Sequence, residues 1–242
     1  MKNDIHDLGL VLDSKVKLVL IESWDETRVL ETLTMLAIKR GLKLLGWSVT
    51  EGLRAPGEQL AAGDAPDSRE PDVALRLVKS DPQPTLYVFC DLHPYLQDNA
   101  KLVRQLKDIA IAEGAHRPTL VLVSHACRLP PEVQRHAARF NLALPGEEEL
   151  LAIVREEATR WSESNGNLRV RTDNRTLQQV VKNLRGVSHA EARILARHLI
   201  CDDGAITQED LPMLNKAKFA LLDMEAVLSF EQDCARFSEV GG

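Results

Sequence analysis

The sequence predicts an α/β fold: a parallel sheet with helices on both faces, followed by a small all-helical part. Three runs carry this reading. Lys15-Val-Lys-Leu-Val-Leu-Ile-Glu22, Thr85-Leu-Tyr-Val-Phe-Cys90 and Pro118-Thr-Leu-Val-Leu-Val-Ser124 are apolar or β-branched without regular alternation. That is the pattern of strands buried on both faces, as parallel strands are. Segments of helical spacing lie between them. From Glu147 onward only helical spacing remains, so the class of structure changes near Pro145.

Each element has its own local reason. The first run passes through Ser23-Trp24-Asp25-Glu26 into a helix over Thr27 to Arg40, with Val29, Leu30, Leu33, Leu36 and Ala37 on one face. Ser23 and Glu26 have the spacing of a capping box. Gly41 stops this helix, and Trp47 to Thr50 reads as a short strand. Residues 54–72 are small, polar and breaker-rich, which predicts a mobile loop, either a surface excursion or a partner-binding segment. Pro71 to Ser80 reads as a short helix. The central run then ends at Asp91, and Pro94 prevents further pairing.

Asp98 to Glu113 is amphipathic, with Leu102, Val103, Leu106, Ile109 and Ala110 on one face. The third run ends at Ser124-His125. Pro130-Pro131 opens a short helix through Arg135, and Phe140 to Leu144 is expected as a fourth strand closed by Pro145. Helices are expected over 147–163, 173–185, 188–201 and 207–227 with no strand between them. Ser188 with Glu191 forms a second capping box, and Thr207 caps the last helix. The domain plan is therefore 1–145 α/β, 146–228 helical, and 229–242 linker.

Composition narrows the function classes. A length of 242 residues suits one large domain or two smaller ones. The formal charge of −6, without a Lys/Arg cluster, disfavours nucleic acid as a partner. Aromatic residues make up 4%, too few for a base-stacking platform. Apolar runs are only strand-length, so no membrane span is expected, and the N-terminus has no apolar signal-like stretch. Cys90, Cys127, Cys201 and Cys234 are widely spaced with no CxxC pair, which reads as reduced, mostly buried thiols in a cytoplasmic protein. Trp24, Trp47 and Trp161 are read as core or edge packing.

The chemistry-bearing residues gather at strand ends, where open α/β sheets collect ligands. Asp91 and His93 follow one strand, Glu22 and Asp25 another, Ser124 and His125 a third. Two readings stand: a metal-dependent hydrolase pocket using Asp91 and His93, or polar groups that close loops by hydrogen bonding.

An α/β part followed by a helical part resembles an AAA+ ATPase. Val88-Phe-Cys-Asp91 resembles that family's Walker B strand, Thr119 to Ser124 the strand carrying its sensor residue, and Arg135 to Pro145 the segment of its arginine fingers. The phrases Val19 to Leu30, Trp47 to Leu53, Cys90 to Leu96 and Phe237 to Gly242 are similar to the hypothetical chloroplast reading frame forty-six type, over nearly the whole chain. Members of that branch place a degenerate AAA-like module ahead of a working ATPase core.

The resemblance breaks where phosphate should sit. A phosphate cradle needs a glycine-rich turn and a lysine. After Glu22 there is no Gly-Lys-Ser/Thr, only Asp25 and Glu26, which suit a helix N-terminus and repel phosphate. Leu92 stands where the family carries its catalytic Glu, so Asp91 and Leu92 form a vestigial Walker B. The resemblance therefore implies an AAA+/P-loop-like fold lacking the P-loop, with no cofactor of its own. ATP and magnesium belong to an absent C-terminal core, which would be its partner. A homo-oligomeric ring is implied for the full-length protein, beside an unidentified protein partner. Arg135 and Arg139 match finger positions and would serve a subunit seam or be solvated helix arginines.

Overall fold

Side chains of three central strands alternate between two apolar cores. In the computed structural model, which describes residues 2–56, 68–114, 118–201 and 203–222, β1 is Leu18–Glu22, β4 is Leu86–Cys90 and β5 is Thr119–Ser124. Leu18, Leu20, Tyr87, Phe89, Leu120 and Leu122 enter one core, with the helices α3 (Pro71–Ser80) and α4 (Ala100–Ala110). Val19, Ile21, Leu86, Val88, Val121 and Val123 enter the other, with α1 (Lys2–Asp13) and α2 (Glu26–Arg40). The period-2 geometry of a strand thus turns continuous apolar runs into a doubly covered sheet. The expected fold class holds.

The sheet has six strands in the order β3-β2-β4-β5-β1-β6, with β2 Leu44–Ser48, β3 Gly52–Arg54 and β6 Ala137–Phe140. All pairs are parallel except β2 with β3. Several expected boundaries move. The strand expected at 47–50 is Leu44–Ser48, because its partner β4 offers Leu86 to Phe89 opposite Leu44 to Trp47. The strand expected at 140–144 is Ala137–Phe140, since pairing opposite Leu18 to Ile21 runs out there. Arg139 accordingly lies on a strand rather than a helix.

The helix α1 was not expected, although Ile5, Leu8 and Leu12 have helical spacing and pack into the α2-side core. The 54–72 loop is anchored where it is described. Arg54 lies in β3, and Pro71 opens α3. Ser68 is buried, its Oγ accepting from Leu53 N–H at 2.9 Å and its carbonyl from the Trp47 indole at 2.7 Å. Gly52 has φ +72°, and a Cβ there would stand 2.6 Å from Ser68 Oγ, so only glycine fits. Residues 57–67 and the expected 229–242 linker lie outside the described residues.

Backbone packing divides the chain into two compact units, Met1–Ala143 and Leu144–Gly242. The second unit contains α6 (Glu147–Ser164), α7 (Asn174–Asn183), α8 (His189–Cys201) and α9 (Leu211–Leu222), after the short α5 (Pro131–Gln134) of the first. Leu150, Ile153, Val180, Leu184, Leu195, Leu199 and Leu214 form its core. The expectation of helices alone needs one correction: β7 (Arg171–Thr172) and β8 (Ala205–Ile206) pair in parallel. Gly204 (φ +66°) turns the chain after α8, and its carbonyl accepts from Arg171 N–H at 3.0 Å. The Ser188–Glu191 capping box is present, at 2.6 and 3.2 Å. Thr207 caps a 3-10 turn (Gln208–Asp210) that leads into α9.

Candidate functional site

Strands β1 and β5 are neighbours, yet the connections leaving them pack on opposite faces: α2 on one side, Val133 of α5 on the other. This is the topological switch point, where an open sheet forms its crevice. Glu22 ends β1, Ser124 ends β5, and Asp91 follows β4, so three of the expected residues are placed at one edge by pairing alone. Asp91 N–H donates to Val123 O and Ser23 N–H to Ser124 O, both at 2.9 Å.

Only Ser23, Trp24 and Asp25 separate β1 from α2. Asp25 is the N-cap: its Oδ1 accepts from Arg28 N–H at 3.1 Å. The expected Ser23–Glu26 capping box is not formed. Ser23 is still held to the sheet edge, and its hydroxyl accepts from Asp25 N–H at 3.0 Å. Glu26 instead lies beside the Cys90 thiol. Arg28 turns away from the crevice. Its buried guanidinium donates to Asp4 Oδ2 and to Ala143 O, each at 2.8 Å.

The remaining groups form two contacts sets. Glu22 accepts from Cys127 N–H at 3.1 Å through Oε1 and from Arg139 at 3.4 Å through Oε2. His93 Nδ1 lies 2.9 Å from Ser124 Oγ and 4.0 Å from Asp91 Oδ1. Both contacts converge on one ring nitrogen, so Asp91 does not orient the imidazole from its far side as a nucleophilic relay requires. The His125 ring stacks on Trp24 (centroids 4.5 Å) and meets His93 edge-on at 5.6 Å. Trp24 is 69% exposed, so it is not a core residue and packs only at the sheet edge, against His125. The three-residue turn pushes it outward, and sequence spacing held no signal for that. Trp47, by contrast, is a core residue stacked on Phe89.

Asp91 adopts φ +52°, with its side chain 62% exposed. The next residue, Leu92, is 1% exposed and belongs to the α3–α4 core. Arg135 is exposed at the C-cap of α5. Burial, reinforced by Glu26, pushes the Cys90 thiol up to about 12. Burial and the nearby Glu22 push Cys127 up to about 11. Both thiols are therefore neutral and poor nucleophiles at neutral pH. Cys201 is exposed, and Cys234 lies outside the described residues. Among the described residues no group of three or more His, Cys, Asp or Glu is arranged to hold a metal ion, and nothing here favours the metal-hydrolase reading. No described helix is long and apolar enough to cross a membrane.

A mostly parallel sheet with its polar crevice at the β1–β5 switch point, followed by a small helical unit, is an architecture that AAA domains share. The family model "SpoVK-like AAA ATPase, N-terminal domain" matches residues 4–142, and "SpoVK-like AAA ATPase, second domain" matches 148–225. The chain belongs to this SpoVK-like AAA ATPase family. It is 24% identical over 243 residues to the uncharacterized AAA domain-containing protein ycf46 of Guillardia theta, across 98% of this chain and 45% of that protein. The chain thus spans under half the length of that relative. Among solved structures it is similar to the FIGL-1 AAA domain (TM-score 0.55, 16% identity, 87% of this chain and 77% of that one). The same domain in complex with ADP gives 0.51, 16%, 88% and 73%. A Thermotoga maritima RuvB variant gives 0.51, 14%, 93% and 70%. At these identities the structural likeness shows the fold alone.

Proposed function

We propose that this chain is a non-catalytic AAA module of the ycf46 type, which serves assembly, partner binding or regulation of an ATP-hydrolysing core. One observation carries the proposal: the Asp25 carboxylate caps Arg28 N–H in the turn where a phosphate cradle belongs. A polyphosphate does not fit here. Its oxygens would compete with a covalently tethered anion for the same helix N-terminus. The turn has no glycine to let phosphate approach the backbone, and Arg28 is committed to Asp4. Leu92 supports the same reading, because its side chain is packed in the core and carries no group to polarise water.

The core that would bind ATP and magnesium, its ring assembly and a cytoplasmic location are part of this proposal and rest on the family likeness. Calorimetry with ATP and magnesium on this chain is the test. No saturable heat is expected; micromolar binding overturns the reading. Light scattering of the isolated chain should give a monomer or a weakly associating species, and a stable hexamer would refute that part.

A further inference from the structure

The two edges of the six-stranded sheet differ. At one, β3 is short, and the N–H of its middle residue, Leu53, donates to Ser68 Oγ at 2.9 Å. At the other, β6 pairs on one side only, with β1. The direction of its backbone groups follows from β1. Lys17 O accepts from Leu120 N–H and Ser23 N–H donates to Ser124 O, both at 2.9 Å, so the odd-numbered residues here face β5. Leu18, Leu20 and Glu22 then face β6. With Leu20 opposite Arg139, their bonds go to Ala138 and Phe140. The N–H and C=O groups of Ala137 and Arg139 therefore point out of the sheet. Among the described residues these outward groups have no partner.

Side chains alternate along the same edge. Ala137 packs on the α3–α4 core, which puts Arg139 on that face. Phe140 packs against the α1–α2 core, with the small Ala138 on its face. Arg135 and His136 are exposed just before the strand, and among the described residues Arg135 makes no ion pair. The carboxylates nearby are Glu132 of α5 and Glu22, and Glu22 already accepts from Arg139 and from Cys127 N–H.

We propose that β6 takes an added strand from another protein, an extended segment that alternates carboxylate and apolar side chains. Its backbone completes the outward groups of Ala137 and Arg139. Its carboxylates lie beside Arg139, and its apolar side chains lie beside Ala138 and Phe140. A second copy of this chain is the poorer occupant. Every antiparallel register that joins two β6 strands through these groups sets Arg139 opposite or diagonal to an arginine of the copy, and like charges there repel. The inference gives the partner-binding role a surface and a chemistry. It rests on the edge of Met1–Ala143 alone and does not depend on whether the crevice takes a nucleotide.

The probe is acetyl-Glu-Val-Glu-Val-Glu-Val-amide added to the full chain, with the peptide carrying Lys for Glu as control. The acidic peptide should bind saturably. At about ten times its dissociation constant it should slow amide exchange at Ala137 and Arg139 roughly tenfold, and leave Ala138 and Phe140 unchanged. Arg139→Ala should weaken it by up to about fivefold, the range of a cross-strand charge pair. Arg139→Pro removes one outward N–H without breaking a bond to β1, a place where an edge strand tolerates proline. It should weaken the peptide well beyond Arg139→Ala.

No saturable binding, or binding that leaves exchange at Ala137 and Arg139 unaltered, overturns the added strand. Arg139→Pro binding as well as Arg139→Ala overturns the backbone pairing. Equal affinity for the two peptides overturns the acidic partner. Protection at Ala137 that rises with protein concentration in the absence of peptide gives the edge to a second copy, and overturns the proposal in that way.

Discussion

Arg139 Nη1 lies 3.4 Å from Glu22 Oε2, joining the neighbouring strands β6 and β1 at the mouth of the crevice. The arginine that matches a finger position by family likeness thus has a carboxylate partner within its own chain. The two side chains are 51% and 34% exposed, so water screens their attraction. The other oxygen of Glu22 has a different task, accepting from the backbone of Cys127.

Glu22 and Arg139 should accordingly differ in urea denaturation. Arg139→Ala is expected to cost less than about 1 kcal/mol, as exposed ion pairs do. Glu22→Ala should cost about 1–2 kcal/mol, because Cys127 N–H loses its acceptor in a partly buried place. Equal costs would mean that the ion pair, rather than the backbone contact, holds the edge.

Placing a carboxyl group directly after Asp91, at the position of Leu92, should fail to create hydrolysis. Leu92 is fully packed among α3 and α4 side chains, so Leu92→Glu buries a carboxyl group with no partner. The expected outcome is a loss of about 3 kcal/mol or more and no gain of phosphate release from ATP. A stable, hydrolytically active Leu92→Glu chain would contradict the proposed function.

Gly204→Ala should destabilise the second unit selectively. Its Cβ would stand 2.2 Å from the Trp161 ring, at φ +66°. Overpacking and left-handed strain together are expected to cost about 2–3 kcal/mol. Hydrogen exchange should then rise in α6 and α8 while β1, β4 and β5 stay protected.

Thiol chemistry gives a pH prediction. Unfolded thiols ionise near pH 8.5, while Cys90 and Cys127 are held up at about 12 and about 11. The folded state keeps protons that the unfolded state releases. Their contribution is therefore complete below about pH 8.5 and is lost as pH climbs toward the folded values. The Tyr87 hydroxyl, buried and donating to Asp81, is raised as well and acts in the same direction at higher pH. Denaturation midpoints should fall above about pH 9. Alkylation at pH 8 followed by peptide mapping should modify the exposed Cys201 and spare Cys90 and Cys127.

Much of this protein can be read before any coordinates. Unbroken apolar runs at Leu18–Glu22, Leu86–Cys90 and Thr119–Ser124 demand burial on both faces, and burial on both faces demands helices above and below. Missing glycines and present carboxylates after Glu22 are also visible in the chain, because they are matters of residue type and spacing. Folding in three dimensions decided what spacing does not encode. Pairing register ended β6 at Phe140 and so placed Arg139 against Glu22. The short β1–α2 turn left Trp24 outside, on His125. A polar-looking N-terminus became a helix whose Asp4 meets Arg28, 24 residues away, and the Ala143 backbone, 139 residues away. Such contacts depend on where the chain returns to itself, and that is settled by packing across the sheet rather than by any local pattern.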